Sequence, residues 1–122
     1  MVGLRRDRGT AAYLEGLAAE TRSCARLERD GYRILARRLR TPLGEIDIIA
    51  ANARCLVFLE VKRRRTLDEA AFSLGARQSS RLMSAAEFVF ATRPEWRRDE
   101  TRFDVVLYDN RGTIRWIEAA LP

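Results

Sequence analysis

Residues 44–50 read GEIDIIA and residues 56–62 read LVFLEVK, with one short break between them. Most of their apolar residues are β-branched or bulky, and such residues are typical of strands. The sequence therefore predicts strands at 45–50 and 55–63, joined as a hairpin by the loop 51–54. Because the apolar residues run almost without interruption, we expect both strands to be central and buried.

Charged side chains interrupt these apolar strands at Asp47, Glu60 and Lys62. Strand residues alternate between faces, so Glu60 and Lys62 point the same way, and antiparallel pairing sets Asp47 opposite a residue near Glu60. Burying uncompensated charges costs on the order of several kcal/mol each, and a divalent metal held by both carboxylates would offset that cost. One alternative stays open, in which Lys62 simply pairs with Glu60 or Glu45 across a solvated sheet face.

The basic residues of the chain are unusual, because all 23 are arginine except Lys62. An ammonium is a compact charge that can orient or deprotonate a water, whereas a guanidinium is a rigid fork that stays protonated. A single lysine placed two residues after Glu60 therefore suggests chemistry rather than general basicity.

The residue types that are missing narrow the chemistry further. The chain has no histidine, which excludes Ser-His-Asp and Cys-His sites. Cys24 and Cys55 cannot complete a zinc shell alone and are expected to be reduced. The glycine-rich nucleotide-binding motifs are also missing. Carboxylates, Lys62 and hard metals such as Mg²⁺ or Mn²⁺ remain as the candidate groups for catalysis.

Length and charge indicate one soluble domain over residues 1–122 with a net charge of +6. That charge favours a polyanionic partner such as nucleic acid or an acidic membrane surface, although charge alone equally allows a scattered, solvated surface. The sequence contains neither a long apolar run nor a signal-peptide pattern, so no membrane association and a cytoplasmic location are expected.

The remaining elements follow from helical periodicity, alternation and turn residues. They are a helix at 10–30 stopped by Gly31, a strand at 32–40, a loop or short helix at 66–77, a helix at 78–92 ended by Pro94, and strands at 102–109 and 113–119. The order αβββαββ predicts an α/β fold with a central mixed sheet flanked by helices.

Asp47 followed by Glu60-Val61-Lys62 resembles the D-x(n)-E-x-K signature of the restriction-endonuclease-like superfamily. More closely, the chain resembles the bacterial YraN family of small endonuclease-like proteins. The motifs that carry this resemblance occur in the family's order and are GxxAE at 16–20, GYRIL at 31–35, GEID at 44–47, FLEVK at 58–62 and RFDVV at 102–106.

The resemblance implies a restriction-endonuclease-like fold and an Mg²⁺ or Mn²⁺ site. Asp47, Glu60 and the Val61 carbonyl would bind the metal, Lys62 would serve the attacking water, and Glu20 would complete the site. Glu20 lies at the margin of the apolar stripe of the first helix, so a solvated carboxylate is the alternative reading.

Two positions depart from the family pattern, because Leu39 stands where the family has asparagine and Gln78 where it has lysine. Gln78 is expected to contact a phosphate or a water. Arg63, Arg64 and Arg65 follow the site directly and would hold a phosphate backbone, or else form a solvated charge cluster.

These observations favour a metal-dependent nuclease that hydrolyses phosphodiester bonds in nucleic acid, with DNA, including branched or flapped DNA, as the expected substrate. Two other classes stay open: a nucleic-acid-binding module in DNA processing that does not cut, and a small interaction protein with a basic surface. Relatives that resolve junctions act as dimers because two nicks are needed, so a homodimer is an expectation by analogy.

Overall fold

The computed structural model describes residues 4–68 and 76–120, and the side chains within 14–68 and 79–120. Its elements are α1 (Leu4–Arg29), β1 (Arg33–Thr41), β2 (Gly44–Ala51), β3 (Cys55–Arg63), α2 (Ala76–Thr92), a 3₁₀ turn (Pro94–Trp96), β4 (Glu100–Tyr108) and β5 (Ile114–Ile117). The predicted order αβββαββ is confirmed. α1 begins before residue 10, and the segment predicted as a loop or short helix at 66–77 lies partly outside the described residues.

The five strands form one sheet in the order β1-β2-β3-β4-β5. β3 and β4 are parallel, whereas the other neighbouring pairs are antiparallel, so the predicted mixed sheet is confirmed. A parallel pair needs a long crossover, and α2 lies in that connection. The predicted β2–β3 hairpin is also confirmed, with Asn52 Oδ1 accepting the N–H groups of Arg54 and Cys55 at its turn.

Buried residues form separate clusters beneath the two helices. Leu27 of α1 packs in a cluster with Ile48 and Leu59, whereas Val89 of α2 packs in another with Phe58. The sheet therefore lies between α1 and α2, which confirms the prediction, made from the order of elements, of a sheet flanked by helices. Both cysteines are free and buried. No helix in the described part of the chain is long and apolar enough to cross a membrane.

The alternation of side chains along β2 is interrupted at Asp47. Ile46 and Ile48 are two residues apart, yet Ile48 packs in the cluster beneath α1 and Ile46 in the cluster beneath α2. On the neighbouring strand, Arg38 has a φ of 52°, in the left-handed region that a non-glycine residue seldom adopts. The irregularity lets Arg38 reach Glu20 on α1 instead of following the regular alternation of β1.

Asp104 of the RFDVV motif is buried, and its carboxylate joins neighbouring elements. Its carboxylate accepts two hydrogen bonds from Arg102 at 2.8 and 2.9 Å. It also accepts the Trp116 indole N–H at 3.0 Å and the Ala119 main-chain N–H at 3.1 Å. Asp104 therefore ties β4 to β5 and to the turn after β5.

Candidate active site

Asp47 lies where the hairpin brings β2 against the E-x-K segment of β3. The paired register ends with Ile48 opposite Leu59, which brings Asp47 to the part of β3 that contains Glu60. The Asp47 carboxylate accepts a hydrogen bond from the Val61 N–H at 2.7 Å. The prediction that Asp47 lies opposite a residue near Glu60 is confirmed by this hydrogen bond to Val61.

Glu60 and Lys62 point to the same side of β3, as the strand alternation predicted. Lys62 Nζ lies 3.5 Å from Glu60 Oε1, and the two side chains are only 16% and 7% exposed. Lys62 therefore pairs with Glu60. The pair is largely buried, so the alternative in which it lies on a solvated sheet face is wrong. A guanidinium nitrogen of Arg81 on α2 also lies 3.9 Å from the same Glu60 oxygen.

Both carboxylates are held in a poorly hydrated place. Burial raises the pKa of Asp47 to about 6, against the lowering effect of its hydrogen bond from Val61. Burial likewise raises the pKa of Glu60 to about 7; nearby Asp47 adds to the rise, and Lys62 and Arg81 oppose it. At neutral pH the charged forms therefore carry an energetic cost, and a cation bound between them would lower it.

Glu20 is buried, so its reading as a solvated helix carboxylate is wrong. Its carboxylate lies 3.0 Å from Arg38 Nε and 3.6 Å from Arg37 Nη2, both on β1. Its negative charge also contributes to the raised pKa of Asp47. Glu20 thus lies within electrostatic reach of Asp47, with its own oxygens bound by arginines.

Hydrogen bonds hold α1 against the sheet at Ala19, one residue before Glu20. Tyr108 at the end of β4 donates its hydroxyl proton to the Ala19 carbonyl at 2.9 Å. Ser23 Oγ contacts the same carbonyl at 2.9 Å and lies 3.1 Å from the Tyr108 hydroxyl. Because these groups are buried, the network holds the Glu20 segment of α1 firmly against β4.

The fit to a divalent metal follows from the donor set. Within residues 14–68 and 79–120, no group of three or more His, Cys, Asp or Glu side chains comes together to hold a metal ion. Mg²⁺, however, is usually bound by one or two carboxylates with waters and substrate phosphates completing its shell. Asp47 and Glu60, both destabilised in their charged forms, would supply the two carboxylates that such a site needs. The Val61 carbonyl is the predicted third oxygen ligand.

Arg81 is a site residue that the sequence analysis missed. Its Nη1 donates to the Glu45 carbonyl at 3.5 Å, at the beginning of the GEID motif. A Cβ at Gly44 would overlap Arg81 Nη1, and Gly44 has a φ of 137° that also favours glycine. The sequence holds one signal for this contact: Arg81 directly precedes Leu82, which belongs to the buried apolar face of α2 with Ala85 and Val89.

The other predicted residues lie around this centre. Gln78 belongs to α2, but its side chain lies outside those described, and its contact with a phosphate or a water stays a prediction. Arg63 forms an ion pair with Glu15 of α1, and Arg64 donates to the Arg63 carbonyl at 2.7 Å. Arg64 and Arg65 are exposed directly after the end of β3. The binding of nucleic acid by this run likewise stays a prediction.

Comparison with known proteins identifies relatives over most of the chain. It is 49% identical to a UPF0102 protein of Granulibacter bethesdensis, over 93% of this chain and 72% of that protein. It is 49% identical to one of Azorhizobium caulinodans, over 94% and 88%, and 50% identical to one of Nitrobacter winogradskyi, over 90% and 93%. The model of the Uncharacterised protein family UPF0102 matches residues 19–108, which include Glu20, Asp47, Glu60 and Lys62. This chain therefore belongs to the UPF0102 family, also called the YraN family.

Proposed function

We propose that this protein is a metal-dependent nuclease that hydrolyses phosphodiester bonds in nucleic acid, with DNA, including branched or flapped DNA, as the substrate. The observation that carries the proposal is the hydrogen bond of Asp47 to Val61, inside the E-x-K segment in which Lys62 Nζ lies 3.5 Å from Glu60 Oε1. Two carboxylates with raised pKa values and one ammonium in a poorly hydrated site are suited to phosphoryl chemistry.

Asp47 and Glu60 would hold Mg²⁺ or Mn²⁺ with the Val61 carbonyl, and the bound ion would stabilise the developing phosphoryl charge and acidify a water. Lys62 has three N–H donors, so one can stay on Glu60 while another orients the attacking water. The hydrogen bond from Val61 holds the Asp47 carboxylate against the E-x-K segment.

Glu20 is proposed as a positioning residue that completes the site indirectly. Its buried carboxylate binds Arg37 and Arg38, and it adds negative charge near Asp47. Gln78 keeps its proposed contact with a phosphate or a water. Arg63, Arg64 and Arg65 would hold the nucleic-acid backbone beside the site.

The direct test is a panel of labelled DNA and RNA structures incubated with Mg²⁺ or Mn²⁺. Wild-type protein is expected to cut at least one of them, and Lys62→Ala is expected to abolish cutting while largely preserving binding. Lys62→Arg is the matched control, since it keeps the positive charge but replaces the compact ammonium with a planar guanidinium. Equal loss of cutting and binding in Lys62→Ala would contradict the role given to Lys62.

A second candidate is a nucleic-acid-binding module that does not cut. It is favoured by the engagement of the carboxylates in ion pairs: Glu60 with Lys62 and Arg81, and Glu20 with arginines of β1. This candidate predicts salt-sensitive binding without any metal-dependent product. Calorimetric titration with Mn²⁺ separates the two, because only the nuclease should bind the ion and lose it in Asp47→Ala.

A further inference from the structure

We propose that four arginines form a binding site for the sugar-phosphate backbone of nucleic acid beside the C-terminal ends of β3 and β4, and that Glu15 covers part of this site when it is empty. The arginine strip consists of Arg22, Arg63, Arg65 and Arg111. The inference rests on the proposed function, since it names where the nucleic acid lies relative to Lys62.

Two adjoining hollows define the arginine strip. The first, of about 130 Å³, lies between α1 and the ends of β3 and β4 and is lined by Arg22 and Arg63. The second, of about 510 Å³, is lined by Arg65 and Arg111. Both hollows include Asp109 and Asn110 in their walls, so the four arginines lie along one continuous path.

The strip is joined to the candidate active site by the chain itself. Arg63 follows Lys62 directly, and successive residues of a strand point to opposite faces. Lys62 points toward Glu60, whereas Arg63 reaches Glu15 on α1. A nucleic-acid strand that passes around the end of β3 would therefore contact the strip on one side and Lys62 on the other.

One guanidinium of the strip is positioned in advance. Arg22 lies over the ring of Tyr108, with its central carbon 5.5 Å from the ring centroid. The Tyr108 hydroxyl is in turn bound to the Ala19 carbonyl. A guanidinium already stacked on a fixed ring loses less freedom when it binds a phosphate, which favours binding.

The two acidic residues that line the hollows, Asp109 and Glu15, bind different partners. Asp109 accepts the main-chain N–H groups of Arg111 and Thr113, both at 2.8 Å, so its carboxylate builds the turn. Glu15 instead binds the Arg63 guanidinium inside the first hollow. Glu15 thus presents carboxylate oxygens to the cation that a phosphate would bind.

The Glu15–Arg63 ion pair is weak enough to be exchanged. The two side chains are 53% and 30% exposed, and ion pairs between exposed groups contribute little to stability. A phosphate offers the guanidinium more oxygens and more negative charge than one carboxylate does. Removing the Glu15 charge should therefore strengthen nucleic-acid binding, whereas a purely structural ion pair would leave it unchanged or weaken it.

The test measures binding of fluorescein-labelled single-stranded and duplex oligonucleotides by anisotropy in EDTA, where metal-dependent cutting is prevented. Glu15→Gln is expected to bind about three- to fivefold more tightly than wild type at 0.1 M salt. Glu28→Gln is the matched control, because it changes the net charge equally from an exposed position on the same helix. It should bind like wild type, since Glu28 lines neither hollow.

The arginines are tested by the salt dependence of binding. Arg22→Gln and Arg111→Gln should each reduce the slope of log affinity against log salt by about one, as expected for one lost phosphate contact. Arg111 lies in an exposed turn, so its variant keeps the test informative if Arg22→Gln unfolds. Arg93→Gln, an exposed arginine outside both hollows, should leave the slope unchanged.

Equal gains in Glu15→Gln and Glu28→Gln would overturn the proposal, as would unchanged salt slopes in both arginine variants. Binding of anionic lipid vesicles that equals the binding of oligonucleotides would also overturn it. The outcomes are distinct from those for the nuclease. Cutting that Lys62→Ala abolishes would support the nuclease even if the strip variants had no effect, and binding that depends on the strip without any cutting would support the strip alone.

Discussion

The Asp47 carboxylate is hydrogen-bonded to the main-chain N–H of Val61 at 2.7 Å, so the middle residue of the E-x-K segment holds the acidic residue of the GEID motif. Val61 lies between Glu60 and Lys62 in sequence, and a main-chain donor is an anchor that side-chain motion cannot remove. The position of the Asp47 carboxylate is therefore tied to the backbone of the hairpin.

The raised pKa of Glu60 predicts a stability that depends on pH. A carboxyl whose pKa is higher in the folded than in the unfolded state stabilises the fold at acidic pH, and this contribution disappears as pH rises through the folded pKa. We expect Glu60→Gln to gain stability relative to wild type between pH 5 and pH 8, by up to about 3 kcal/mol for a pKa raised from 4.5 to about 7. Urea denaturation at each pH measures this difference, and a difference that is constant across the range would contradict it.

Binding of a metal ion should offset the energetic cost of the charged, buried carboxylates at high pH. At pH 8, Mn²⁺ at about 100 times its dissociation constant should raise the free energy of unfolding by about 2.7 kcal/mol, and chelation should remove the gain. Asp47→Asn should lose the effect. Glu45→Gln is the matched control, because Glu45 is an exposed acid two residues away on β2. Thermal unfolding with and without Mn²⁺ checks this, and equal stabilisation of Asp47→Asn and wild type would argue against the site.

Asp104 should be essential for stability rather than for chemistry. Asp104→Ala leaves the Arg102 guanidinium and the Trp116 indole without their buried acceptor, and we expect a loss of about 3–5 kcal/mol. Glu118→Gln is the control, since Glu118 also lies 4.0 Å from Arg102 but is 63% exposed, so its loss should cost less than about 1 kcal/mol. Tryptophan fluorescence during urea denaturation measures both variants, and similar losses would refute the distinction.

Gly44 should be intolerant of a side chain for two separable reasons. Its φ of 137° disfavours any L side chain, and a Cβ would overlap Arg81. Gly31→Ala is the matched control, because Gly31 has a φ of 93° but no atom within 4 Å of an added Cβ. We expect Gly44→Ala to lose more stability than Gly31→Ala, and Arg81→Ala to relieve only the excess in a double-mutant cycle. Additive losses would show that Arg81 moves aside freely.

Parts of this molecule could be predicted from the sequence because their causes are local. The apolar runs around Asp47 and Glu60 predicted the hairpin, and the two-residue period placed Lys62 beside Glu60. The ion pairs of Glu20 could not be predicted, because Arg37 and Arg38 lie on another element and Arg38 adopts a left-handed conformation there. The same is true of Arg81, whose position depends on how α2 packs across Gly44.

The hairpin also has a consequence for the order in which the protein folds. Asp47, Glu60 and Lys62 all lie in β2 and β3, which are adjacent in sequence and pair antiparallel. The parallel partner β4 begins only at Glu100, so its docking closes a much longer loop and pays a larger entropic cost. We therefore expect the acidic pair to meet early in folding, and β4 and α2 to arrive later and exclude water from a pair already formed.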